Sequence, residues 1–255
     1  MDAIVTAGGI PQPGEPLYEY TQGKSKALLD VAGKPMIQWV LDAVCGATTI
    51  ERVVIIGLPS ESNVSCPKAV AFLPNAGGML DNIKGGVNKV LELNPRATHA
   101  LLVSSDIPAI TPKMVDWVVK TSMETNDDVY YNVIARDLME TRFPGSKRSY
   151  TRLKDMEICG GDMNLIRAMT VTGNEELWNR IIAARKSVLK QAALIGYDTL
   201  ILLLLRRVTL EGAVKRASRR LKVKGRAIVC PYAEVGMDVD KPHQLEIMRQ
   251  DLGRK

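Results

Sequence analysis

Histidine is nearly absent from this chain: only His99 and His243 occur among 255 residues. An imidazole-based zinc centre and a histidine-dependent catalytic triad are both disfavoured by that scarcity. Aromatic residues make up 5%, with two Phe, so the core has to be aliphatic and Met-rich. The four cysteines, Cys45, Cys66, Cys159 and Cys230, are scattered and form no C-x-x-C pair. They are expected to be reduced, mostly buried thiols of a cytoplasmic protein. No apolar run approaches the roughly 20 residues that span a bilayer. The longest, Leu200 to Leu205, reads as part of a buried helix. The chain enters a strand at once, which leaves no room for a signal peptide. What is present is ordinary for a globular fold, 46% hydrophobic and 24% charged. The net charge of +6 suits acidic small molecules as readily as nucleic acid.

Periodicity orders the elements. Asp2 to Ala7 is strand-like and is broken by Gly8-Gly9. After a Pro- and Gly-bearing loop to about Ser25, Met36, Ile37, Val40, Leu41 and Val44 share a helical face behind Pro35. Strands are predicted at Arg52 to Gly57 and Ala69 to Leu73. A helix follows, carrying Met79, Leu80, Ile83, Val87, Val90 and Leu91. Thr111 and Pro112 predict an N-cap and first turn for another helix, and Asp128 to Ala135 a strand. This alternation implies a three-layer α/β/α domain with a mostly parallel sheet. Short strands are expected around Gly160-Gly161, helical pieces over 174–222, a strand from Arg226 to Pro231, and a last helix opened by Asp240-Lys241-Pro242. No repeat or low-complexity linker divides the chain, so residues 1–255 read as one domain with 174–222 as a helical insertion.

The apolar run Ala100 to Val103 ends in Ser104-Ser105-Asp106-Ile107-Pro108. It reads as a buried strand that delivers one carboxylate to the carboxyl edge of the sheet, where ligands of open α/β folds sit. Such a carboxylate can hold Mg²⁺ against a triphosphate, or can simply cap a turn. Ala7-Gly8-Gly9 reads equally as a phosphate-approaching loop or as a tight turn. It is neither a Walker loop nor a dinucleotide fingerprint. Asn75-Ala76-Gly77-Gly78 precedes a helix whose N-terminus can face a nucleotide, or is a plain capping turn.

The ordered segment Gly23-Lys24-Ser25-Lys26-Ala27-Leu28-Leu29-Asp30-Val31-Ala32-Gly33-Lys34-Pro35-Met36 resembles the signature of nucleotidyltransferases with a GT-A-type fold. These include the MobA-like NTP transferases of molybdenum-cofactor synthesis and the sugar-phosphate nucleotidyltransferases. The resemblance implies a nucleotide-diphospho-sugar-transferase-like fold. It implies Ala7, Gly8, Gly9, Lys26, Asn75, Gly77 and Gly78 as nucleotide-binding residues, with Lys26 on the triphosphate; Lys34 has no assigned part. It implies Asp106 as a metal-binding and catalytic aspartate. It also implies a closing strand through Val235-Gly236-Met237-Asp238-Val239-Asp240, whose Asp240, or else Asp238, is the second Mg²⁺ ligand. Side chains two apart on a strand would share a face, and an N-cap role for Asp240 competes with ligation. Gly160, Gly161 and Asp162 resemble an acceptor-side segment, or a β-turn. In one respect the chain departs from the family: the loop from Ile10 to Ser25 is long and lacks the usual arginine. Either Lys24 supplies the missing charge or the loop closes differently.

The reaction implied is Mg²⁺-dependent transfer of a nucleoside monophosphate from an NTP to a phosphorylated small molecule, with release of pyrophosphate. A glycosyltransferase of the same fold would tend to carry Asp where Ser104 stands. That favours nucleotidyl transfer over nucleotide-sugar chemistry and over a non-catalytic nucleotide-binding regulator. The basic run Arg206, Arg207, Lys215, Arg216, Arg219, Arg220, Lys222, Lys224 and Arg226, opposed by Glu211, reads as a solvated helix face. It has no interleaved aromatics for nucleic acid, and contact with an anionic membrane is the lesser alternative.

Overall fold

The computed structural model describes residues 1–173, 176–177 and 196–254. Its centre is β1 (Asp2–Thr6), whose Ala3, Ile4 and Val5 are wholly buried because the sheet is covered on both faces. After α1 (Tyr18–Thr21), a 3₁₀ turn at Lys26–Leu28 and the small hairpin β2 (Asp30–Val31) and β3 (Lys34–Pro35), the chain alternates. The order is α2 (Met36–Gly46), β4 (Arg52–Ile56), β5 (Ala69–Leu73), α3 (Met79–Leu93), β6 (His99–Ser104), α4 (Pro112–Ser122) and β7 (Val129–Ala135). Next come α5 (Arg136–Arg142), β8 (Thr151–Arg152), β9 (Glu157–Gly160), β10 (Met163–Arg167) and α6 (Ala168–Thr172). Then follow α7 (Tyr197–Leu204), α8 (Leu210–Leu221), β11 (Gly225–Val229) and α9 (Pro242–Leu252).

The strands form one sheet in the order β5-β4-β1-β6-β10-β7-β9-β8, with β11 paired to β7. β5, β4, β1 and β6 run parallel, as β7 and β11 do with each other. The antiparallel β10 lies between β6 and β7. That reversal matters for the site: Met163 of β10 opposes Val103 near the end of β6, so the residues just before β10 arrive at the carboxyl edge of the parallel strands. Apolar residues of α2 and α4 (Ile37, Val40, Leu41, Val115, Val118) cover one face with Ala3, Val5 and Val103. Ile83, Val87 and Val90 of α3 and Val171 of α6 cover the other over Ile4 and Val54. Met139, Phe143, Leu245 and Met248 close the end beyond β7.

Thr111 occupies the N-cap position of α4 and Pro112 opens its first turn as expected, although the Thr111 side chain makes no capping bond. Three other expectations need correction. No strand forms at 235–240: after a 3₁₀ turn at Ala233–Gly236 the segment is irregular, and Val239 N–H donates to Asp106 O at 2.9 Å, not to a ladder. The Leu200–Leu205 run is helical but only half covered. Leu202 and Leu203 pack toward Val133, Leu153, Ile158 and Val208, whereas Leu204 is 75% exposed and Ile201 and Leu205 are exposed too. A helix laid on one flank of the sheet buries one stripe, not its whole girth. Finally, Cys45 near the end of α2 and Cys66 before β5 form a disulfide, with Cα atoms 6.3 Å apart, while Cys159 and Cys230 are buried thiols. The fold joins positions that are 21 apart in sequence, a pairing their spacing did not reveal. Of the expected insertion 174–222, residues 174–175 and 178–195 lie outside the described residues; α7 and α8 supply the rest.

Candidate active site

Lys26 is the hub. Ser25 Oγ donates to Ala7 O at 2.8 Å and Lys26 N–H to Gly9 O at 2.9 Å, which pins the lysine's backbone to the end of β1. Gly9 lies against the lysine stem: a Cβ there would stand 3.2 Å from Lys26 Cε. The ammonium then reaches two carboxylates, Asp106 Oδ2 at 2.6 Å and Asp240 Oδ1 at 2.5 Å. Asp106 stands two residues past β6, where Ser105 N–H donates to Thr6 O and Asp106 O accepts from Val239. Its side chain is 8% exposed, and its Oδ1 is buried without a partner. Burial works against the charge of Lys26, but the two carboxylates outweigh it and raise its pKa.

Asp240 does not cap α9. Gln244 Oε1 accepts from Asp240 N–H and Lys241 N–H at 3.0 and 2.9 Å, so a glutamine fills the capping role and the aspartate is free to face Lys26. Asp238 is not part of this cluster. Without a strand at 238–240 the two side chains diverge, and Asp238 pairs with Arg148. Asp162 is held from both sides, its N–H on Val235 O and its carbonyl on Ser104 N–H. Burial of its carboxyl and the neighbouring Asp106 charge push its pKa up to about 7, against the pull of Arg148.

Three cavities meet around this cluster. One of about 290 Å³ is lined by Gly8, Gly9, Lys26, Asn75, Gly77, Gly78 and Asp106. It therefore collects all the nucleotide-binding positions inferred from sequence except Ala7, which is buried behind them. Its rim is fixed by amides: Asn75 Nδ2 donates to Gly8 O at 2.9 Å, Asn82 Nδ2 to Asn75 Oδ1, and Ala76 N–H to Asn82 Oδ1. Gly57, at φ +100°, permits that approach, since a Cβ there would sit 2.3 Å from Gly8 N. A second cavity, about 340 Å³, contains Gly160, Asp162, Asp238, Asp240, Arg148 and Tyr131. Gly161 is not on its wall; it is buried, and a Cβ would stand 3.0 Å from Asn132 O. The third, about 410 Å³, lies between Lys26, Asp240 and Lys241 and the loop residues Ile10, Pro11, Glu15, Pro16 and Leu17. The long loop thus closes beside the cluster, whereas Lys24 is exposed and lines none of these cavities.

Sequence reasoning passed over Asn82, Ser25, Gly57, Tyr131 and Arg148. Asn82 carried a faint signal, a polar residue beside Ile83 at the start of an apolar helix; the others gain meaning only from distant partners. Neither histidine enters the cluster: His99 contacts Asp127 O, and His243 the carbonyl of Ser146.

Comparison with known proteins agrees with this architecture. Over 105 residues the chain is 30% identical to a probable molybdenum cofactor guanylyltransferase of Thermococcus sibiricus, a match covering 41% of this chain. The chain spans about half (51%) of the length of that relative. A hypothetical transferase structure from Thermus thermophilus superposes with a TM-score of 0.83 at 34% identity, covering 96% of this chain and 98% of its own. CMP:2-keto-3-deoxy-manno-octonic acid synthetase, solved with CTP, shares the fold at TM-score 0.58 and 17% identity, over 99% and 98% of the two chains. Residues 4–172, the segment that carries Lys26, Asp106 and Asp162, match the MobA-like NTP transferase domain, and the chain belongs to that family.

Proposed function

We propose that this protein transfers a nucleoside monophosphate from an NTP to a phosphorylated small-molecule acceptor and releases pyrophosphate. One observation carries the reading: Lys26, Asp106 and Asp240 meet where the cavity with the glycine loops adjoins the cavity with Asp162 and Arg148. A reaction between two ligands needs such a junction; a one-ligand binder does not. The printed names of the relatives, a guanylyltransferase and a synthetase solved with CTP, are of the same kind.

The residues fit Mg²⁺. Asp106 and Asp240 bring their carboxylates together on the one Lys26 ammonium, the Asp106 Oδ1 is buried with no partner among the described residues, and all donors are hard oxygens. Among the described residues no group of three or more His, Cys, Asp and Glu could hold a metal by itself. Two carboxylates are what a Mg²⁺ shared with substrate phosphates asks of a protein. Asp106 and Asp240 would hold the ion, which when bound offsets the repulsion between two phosphorylated ligands.

The chain's own groups supply the rest. Lys26 balances the charge on the triphosphate as an acceptor phosphate oxygen attacks the α-phosphorus and pyrophosphate departs. The glycine loops and the Asn75–Asn82 amides fix the nucleotide, so orientation carries much of the rate. A phosphate nucleophile is already ionised, so no histidine base is required. The proposed reaction acts on soluble substrates, with no nucleic-acid partner. Among the described residues no helix is long and apolar enough to cross a membrane.

Pyrophosphate release, measured with each of the four NTPs against a panel of phosphomonoesters, tests the proposal. One pair should react in Mg²⁺ and stop in EDTA, and Asp106→Ala should lower its rate by on the order of 10²–10³. Undiminished turnover in that variant would overturn the assignment.

A further inference from the structure

The cavity of about 340 Å³ beside Asp240 contains an ion pair, Arg148 with Asp238, that lies outside the cluster of Lys26, Asp106 and Asp240. Arg148 lies on the loop between α5 and β8, and that loop is built to hold it in place. Ser146 is wholly buried, and its carbonyl receives Gln244 Nε2 at 3.2 Å and contacts His243 Nε2 at 3.0 Å. Lys147 takes a left-handed backbone, φ +52°, a conformation that non-glycine residues adopt at a cost and that turns the chain sharply. Arg148 then enters the cavity wall with a side chain 14% exposed, pairs with Asp238, lies against the Cys159 thiol, and keeps a buried Nε that has no hydrogen-bond partner among the described residues. A guanidinium has five donors in a planar fork, and this one has not spent them all. Lys147 and Lys241 line the same space, and Asp162 stands across it, ready to meet hydroxyls.

We infer that Arg148 grips the phosphate of the acceptor, with Lys147 and Lys241 adding positive charge, and that Asp238 serves to hold Arg148 and does not ligate the metal. The inference rests on the nucleotidyl-transfer reading of the site. The planar fork matches a phosphate monoester bidentately, and a fixed counter-ion keeps the fork aimed before the ligand arrives. Because Gln244 both ties down Ser146 and caps the turn at Asp240, the acceptor grip and the junction with the nucleotide cavity are set by one side chain.

Inorganic phosphate is the probe, titrated by ³¹P NMR while the triphosphate side is filled with the α,β-methylene analogue of whichever NTP most raises the Tm. The wild-type protein should show one saturable phosphate site. Arg148→Met should weaken it at least tenfold and Arg148→Lys by less, since a point charge replaces the fork. Asp238→Asn should weaken phosphate binding several-fold and leave Mn²⁺ affinity, read by EPR, unchanged; Asp240→Asn should do the reverse. Phosphate binding by Arg148→Met equal to wild type, no saturable site in the wild type, or loss of Mn²⁺ binding in Asp238→Asn would each overturn the proposal. The NTP-induced rise in Tm separates the two readings. Its absence from the wild type defeats nucleotide binding itself, whereas its persistence in an Arg148→Met variant that binds phosphate normally defeats only the grip.

Discussion

Replacing Asp162 by Asn should stabilise the protein, and only above a definite pH. In the fold the Asp162 carboxyl is stripped of water and lies near the charge of Asp106, with Asp240 adding to the repulsion. Arg148 and Lys26 pull the other way without winning, so its pKa moves from 3.8 to about 7. Between those values the folded chain keeps a proton that the unfolded chain has released, so stability falls as pH rises through that window. The full displacement corresponds to about 4 kcal/mol. Asp162 retains some exposure, and screening reduces the working figure to about 2 kcal/mol. Asparagine keeps the shape and removes the charge. Below pH 3.8 the two proteins should unfold alike; above about pH 7 the variant should be the more stable, by roughly 6 °C in Tm for a chain of this size. Urea unfolding in EDTA at intervals from pH 3.5 to 8.5 measures it. Asp106→Asn should move the window toward lower pH, because the second cause of the shift is gone. A stability difference that does not change with pH, or a variant less stable than wild type at pH 8, would refute the reasoning. Keeping a carboxyl where it weakens the fold is intelligible if the acceptor needs it: near pH 7 such a group both donates and accepts hydrogen bonds.

Other perturbations should read out different parts of the site. Lys26→Met leaves two neighbouring carboxylates without their shared cation; it should lower stability by about 2 kcal/mol at pH 8 in urea titrations. Gly57→Ala drives a Cβ to 2.3 Å from Gly8 N at φ +100° and should cost about 3 kcal/mol and the NTP-induced Tm rise, both seen in one thermal-shift series. Gly160→Ala meets only the Tyr131 side chain, its hydroxyl at 2.2 Å and Cζ at 3.2 Å, on an exposed ring that can swing away. Stability should change by less than about 1 kcal/mol while KM for the acceptor rises, a split that steady-state kinetics resolves. Alkylation of the unreduced, denatured chain should label Cys159 and Cys230 alone, and reduction of Cys45–Cys66 should lower stability by about 3 kcal/mol in urea.

What could be read from sequence follows the range over which each feature is encoded. β1, β4 and β6 are continuous apolar runs and α2, α3 and α4 have a local period, so their existence needed no tertiary information. Asp106 and Asp240 were legible because each stands at an abrupt boundary, a run ended by a proline turn and a helix opened by Pro242. Asp238 was misplaced because the two-residue rule presumes a strand, and the segment around it is held by single bonds such as Val239 N–H to Asp106 O. Arg148 was invisible for the converse reason: its loop has no period, and Asp238 and the Gln244 anchor that give it meaning lie far along the chain.

The long loop from Ile10 to Ser25 shows why a departure from the family pattern need not disturb the site. What places Lys26 is not the length of chain before it but the two bonds at its base, Ser25 Oγ to Ala7 O and Lys26 N–H to Gly9 O. Both ends of the loop are thereby fastened to the same strand end. The entropy of closing a loop grows only with the logarithm of its length, so doubling it costs about 0.6 kcal/mol. The chain can therefore carry extra residues there, and it uses them: Glu15 Oε2 accepts from Gln12 N–H, and Ile10, Pro11, Pro16 and Leu17 wall the cavity between Lys26 and Lys241. Lys241, just before α9 and at the far end of the sequence, completes the wall of that cavity opposite the loop.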